Sequence, residues 1–119
     1  MWRAGGQVEI YSYNQVRNHR CGDSFQNNDF YFVKGRYYRI QLFQKLNTST
    51  YSHDGELKLF IDGDLIVHQQ GLRFRETINS SSEINQLYFS SFFGGNDDSW
   101  SPSKTVYAYF DNFAVFRGI

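Results

Sequence analysis

The sequence predicts an all-β fold, a sandwich of antiparallel strands. Short runs of alternating apolar and polar residues recur along the chain, turn residues separate them at close intervals, and no helix-period segment of useful length interrupts them. The aromatic content agrees: 12 Phe, 9 Tyr and 2 Trp in 119 residues suit pleated sheets and sugar clefts.

The first run, Gln7-Val8-Glu9-Ile10-Tyr11-Ser12-Tyr13, alternates strictly. As a strand it puts Val8 and Ile10 on one face and Glu9, Tyr11 and Tyr13 on the other, the make-up of a polar cleft floor. A polar loop from Asn14 to Asn28 follows and carries Arg17, His19, Arg20, Cys21 and Asp23. Phe30 to Val33 reads as a second strand, and Lys34-Gly35-Arg36 turns the chain. In the long strand Tyr37 to Leu46, Tyr37, Arg39, Gln41, Phe43 and Lys45 share a face opposite Tyr38, Ile40, Leu42 and Leu46.

Glu56 to Asp62 alternates with Leu57, Leu59 and Ile61 inward, and Asp62-Gly63 is a tight hairpin signal. Asp64 to His68 returns as its partner. Gly71 then breaks the run before Leu72-Arg73-Phe74-Arg75, a short strand with both arginines on one face. Ile84 to Phe93 and Thr105 to Phe116 are the last two strands, flanking a loop that holds Trp100 and Pro102. No repeat, low-complexity tract or linker divides the chain, so residues 1–119 read as one domain.

Several function classes are disfavoured by composition. Twelve basic and 12 acidic residues balance, so no strong field draws nucleic acid or a membrane surface. No apolar run approaches the roughly 20 residues that span a bilayer. The three histidines lack metal-ligand spacing, and no phosphate-cradling loop is present, so no cofactor or metal is expected. Asp97-Asp98 reads as loop solvation before calcium. Lone Cys21, beside Arg20, has no internal disulfide partner. The start, Met1 to Gly6, has no apolar core of a signal peptide, which leaves localisation open. Oligomeric state is equally unmarked.

A set of blocks in order resembles polysaccharide lyase family 14, the alginate and glucuronan lyases. They are Met1-Trp2-Arg3, Gly6, Glu9-Ile10-Tyr11-Ser12-Tyr13, Leu46-Asn47-Thr48, Asp54-Gly55-Glu56-Leu57, Ile61-Asp62-Gly63, Gly71-Leu72-Arg73-Phe74-Arg75, Phe89-Ser90-Ser91-Phe92-Phe93-Gly94-Gly95, Trp100 and Ala108-Tyr109-Phe110-Asp111-Asn112-Phe113. The resemblance implies a jelly-roll (concanavalin-like) β-sandwich, an acidic uronate polymer as partner and an extracellular setting. It also implies that a Ser-x-Arg element lies just upstream of Met1 and an essential lysine further upstream, so the chain is expected to be a domain incomplete at its N-terminus.

Such lyases cut by β-elimination: a base removes the C5 proton, an acid protonates the leaving C4 oxygen, and an unsaturated sugar remains. The base must ionise near working pH, which for a tyrosine of ordinary pKa about 10 takes roughly 4 kcal/mol of preferential phenolate stabilisation. By resemblance Tyr11 and Tyr13 are the catalytic pair, with base and acid unassigned. Glu9, Arg3, Gln41, Lys45 and Arg73 are the substrate-binding candidates. A second pair, Tyr107 and Tyr109, shows that Tyr-x-Tyr alone is a weak signal, since tyrosine is enriched in strands. Two alternatives stand beside the lyase: a carbohydrate-binding sandwich that does not cut, and an inactive fragment.

Overall fold

The computed structural model describes residues 4–118, which leaves the candidate Arg3 outside the described residues. Within them the chain forms two compact units, divided between Asn85 and Gln86.

The first unit holds five strands: β1 (Gln7–Ser12), β2 (Asp23–Tyr31), β3 (Ile40–Lys45), β4 (Gly55–Ile61) and β5 (Asp64–Leu72). β1 and β2 make one antiparallel sheet, and β3, β4 and β5 another in that order. The sheets share one core. Val8 and Ile10 come from β1, Leu57, Leu59 and Ile61 from β4, and Val67 and Leu72 from β5. Each such side chain, removed from water, contributes about 1.5–3 kcal/mol. Phe30, Phe32 and Tyr38 close one side edge-to-face, with Phe32 and Tyr38 ring centroids 5.0 Å apart. The all-β prediction holds, and the arrangement is that of a sandwich and not a closed barrel.

The strongest local signals are realised. β4 buries every second residue, and Asp62 and Gly63 adopt φ of 54° and 94°, the two left-handed positions of a primed hairpin turn. Asp62 accepts hydrogen bonds from the Arg39 amide at 2.9 Å and the Arg36 guanidinium at 2.6 Å, and these hold its carboxyl below the usual range.

Four sequence expectations change. The loop expected from Asn14 to Asn28 ends at Asp23, where β2 begins; pairing with β1 extends a stretch whose polar residues do not favour strand on their own. β5 runs past Gly71 to Leu72, so no separate Leu72–Arg75 strand exists. β3 is shorter than Tyr37 to Leu46, and Ile40 and Leu42 from its apolar face are 56% and 62% exposed, because the shared core takes no buried residue from β3. Beyond Asn85 the runs Ile84–Phe93 and Thr105–Phe116 form no ladder among the described residues. Alternation reports how a strand would bury its faces, not that a partner edge is available, and Asn112 at φ 53° turns the second run out of extended geometry.

The second unit is organised around ring contacts. Phe89 meets Phe110 and Phe113, each at 4.8 Å. A short 3-10 turn, Asp98–Trp100, is capped by the Asp97 carboxylate, which accepts from the Ser99 amide at 2.9 Å.

A polar knot ties the end of β3 to the exit from β5. Asn47 is fully buried; its amide donates to the carbonyls of Ser49 at 2.8 Å and Arg75 at 3.0 Å. Its side-chain oxygen accepts from the backbone amides of Phe74 at 2.9 Å and Arg75 at 3.1 Å.

Candidate functional site

β1 delivers the two tyrosines as its alternation requires. Along it the covering thins: Glu9 is 1% exposed, Tyr11 is half-buried, and Tyr13 beyond the strand end is 61% exposed. The Tyr11 and Tyr13 rings meet edge-to-face, 5.6 Å between centroids at 89°. Glu9 does not reach the open face. It is held within the sheet, where its carboxylate accepts from Gln26 Nε2 at 2.8 Å.

Tyr11 is positioned by a residue that the sequence reading passed over. The Gly22 amide donates to Tyr11 Oη at 2.8 Å. A Cβ on Gly22 would stand 2.8 Å from Tyr11 Cε1 and 2.9 Å from the Ser12 carbonyl, so only glycine lets the ring lie here undisturbed. With β2 hidden in the sequence, Gly22 reads as an ordinary loop glycine, and no local signal points to this close approach. Gly22→Ala is therefore expected to displace the Tyr11 ring and break its hydrogen bond to the residue 22 amide. An unchanged Tyr11 phenol titration in the folded variant would refute this positioning role.

Partial burial raises the Tyr11 phenol above its ordinary pKa; the Gly22 amide pulls the other way, and neighbouring Tyr13 adds to the rise. Tyr11 is thus held as a neutral phenol near neutral pH. Its oxygen takes a backbone proton donor, an arrangement suited to stabilising a phenolate.

The loop after β1 is built and not slack. Asn14, 1% exposed, donates to Asp23 at 2.7 Å and accepts from the Val16 amide at 2.9 Å. The Gln15 amide reaches the Arg73 carbonyl at 2.6 Å, and Arg17 Nη1 donates to the Asn14 carbonyl. The Arg17 guanidinium carbon then lies 5.3 Å from the Tyr13 ring centroid. Residues Asn14, Gln15, Arg17, Asn18, His19 and Arg20 line an open groove of about 390 Å³.

The remaining candidates sit elsewhere. Gln41 and Lys45 lie on β3, in the other sheet from Tyr11, and Lys45 faces Asp54 at 3.8 Å. Arg73 donates through Nε to the Thr50 carbonyl at 2.7 Å and approaches the site through its backbone. The structure joins Tyr11 and Tyr13, separates Gln41 and Lys45 from them, and adds Asn14, Arg17 and Gly22. No group of three metal-ligating side chains occurs among the described residues.

Antiparallel strands in two sheets around a shared aliphatic core, with a phenol pair at the end of one strand, define an all-β protein of the sandwich class. The family model described as Polysaccharide lyase 14 matches residues 1–113, and the chain belongs to that family. Neither the curated proteins nor the solved structures contain a match to it. Membership implies a polysaccharide-lyase-like function and a polysaccharide as the partner.

Proposed function

We propose that this chain acts on uronate polymers, alginate or glucuronan in kind, by β-elimination at Tyr11 and Tyr13. The observation that carries this reading is the edge-to-face contact of the two phenols, 5.6 Å apart, at the rim of β1. Tyr11, neutral and anchored by Gly22, is the proton donor to the leaving C4 oxygen. Tyr13, open to solvent, takes the C5 proton. Residues 1–119 serve this as one domain.

Cationic side chains near the pair support an acidic polymer. Among the described residues neither Arg17 nor Arg20 forms an ion pair with a carboxylate. The test is incubation with polymannuronate, polyguluronate and glucuronan while ultraviolet absorbance is followed. A rise from the conjugated double bond on one of them is the expected result. Saturable binding with flat absorbance would instead make the domain a carbohydrate-binding module.

A further inference from the structure

We infer that Arg17 is an anchoring site for the carboxylate of a uronate unit flanking the one that is cleaved; this rests on the β-elimination reading of Tyr11 and Tyr13 and names a residue which that reading does not require. Arg17 is half-buried, and among the described residues its Nε is the buried side-chain polar atom without a hydrogen-bond partner. That nitrogen is closed to solvent, whereas Nη2 is neither hydrogen-bonded among the described residues nor buried, and is the donor open to a ligand. No carboxylate of the described residues pairs with it.

The side chain is nonetheless held in place. Its Nη1 is tied to the Asn14 carbonyl, Asn14 is itself locked to Asp23 and the Val16 amide, and the Tyr13 ring lies beside the guanidinium carbon. A planar cation with Nη2 free, pre-set at the wall of a groove, is placed to donate to a carboxylate. The groove is shallow and open to solvent, so a chain can lie along it without being enclosed. Its lining includes neither tyrosine, so an anion there sits beside the phenol pair and not over it. A polymer crossing Tyr11 and Tyr13 would thus lay the next sugar along Asn14 to Arg20.

The consequence is a uniform binding contribution, made equally to the ground and transition states. Arg17→Gln should raise KM and the Kd for a cleavable uronate polymer by about tenfold or more, with kcat nearly unchanged. Arg17→Lys, which keeps the charge and can still reach the Asn14 carbonyl, should recover part of the loss. The discriminating substrate is the same polymer fully methyl-esterified, which keeps its acidic C5 proton and lacks the anion. On it wild type and Arg17→Gln should behave alike.

Wild-type cleavage with unchanged KM in Arg17→Gln would overturn the anchor and leave the lyase reading standing. A defect of equal size on the esterified polymer would also overturn it, because a merely structural arginine gives that result. If wild type binds uronate polymers without cutting and Arg17→Gln weakens that binding, the lyase reading falls and the carboxylate site remains. Failure of wild type to bind any uronate polymer removes both.

Discussion

Tyr11→Phe and Tyr13→Phe are each expected to lower turnover on the cleavable uronate polymer by about 10²–10⁴-fold, the usual contribution of a positioned proton-transfer group. Each change removes one hydroxyl and keeps the ring, so the edge-to-face contact and the fold should survive. Losses at the two positions should be far from additive, because donor and acceptor serve one elimination. Tyr107→Phe, in the other Tyr-x-Tyr pair, should leave the rate near wild type; an equal loss there would show that the wrong pair had been chosen. Tyr11→Phe carries a second readout. The folded pKa of Tyr11 is raised above 10.0, so the neutral phenol favours the fold. That contribution is fully present below the unfolded pKa and is lost as pH rises through the folded one. Alkaline titration of phenolate absorbance should therefore show a late component that Tyr11→Phe deletes and that denaturation moves down to ordinary tyrosine behaviour.

Asn47→Ala should destabilise the first unit by about 2 kcal/mol or more, since two part-buried backbone amides lose their acceptor at roughly 1–3 kcal/mol each when fully buried. Those amides belong to Phe74 and Arg75, and the same side chain gives up its bonds to the Ser49 and Arg75 carbonyls. The segment after β5 would lose its anchor. Through Arg73, whose carbonyl receives the Gln15 amide, the disturbance would reach the loop that holds Arg17. Denaturant unfolding measures the first effect; a loss below about 1 kcal/mol would show that the Phe74 and Arg75 amides find another acceptor.

Residues whose signal is local were legible in the sequence. β1 alternates in sequence and forms a strand, β4 alternates with aliphatics inward, and Asp62-Gly63 meets a backbone requirement that few residues satisfy. β2 was hidden because Asp23 to Asn28 is polar and becomes strand only by pairing with β1, a long-range cause that periodicity does not record. Conversely, Ile84 to Phe93 and Thr105 to Phe116 carry strand periodicity with no partner edge among the described residues. At the site, spacing puts both phenols on one side, but it was the resemblance of the flanking blocks that singled this pair out from Tyr107 and Tyr109. Glu9 was placed on the right strand, yet its burial depends on Gln26 from β2. Arg17 and Asn14 looked like ordinary loop residues. What distinguishes them is that Asn14 turns inward and binds Asp23, leaving Arg17 held beside Tyr13.

The most direct measurement of the central claim is the mass of the products released from a uronate polymer by the full chain. β-Elimination at Tyr11 and Tyr13 predicts oligosaccharides bearing one unsaturated end, each lighter by one water than a hydrolysis product, and their disappearance with Tyr13→Phe. Saturated products of hydrolytic mass, or unsaturated ones that persist undiminished in Tyr13→Phe, would contradict it.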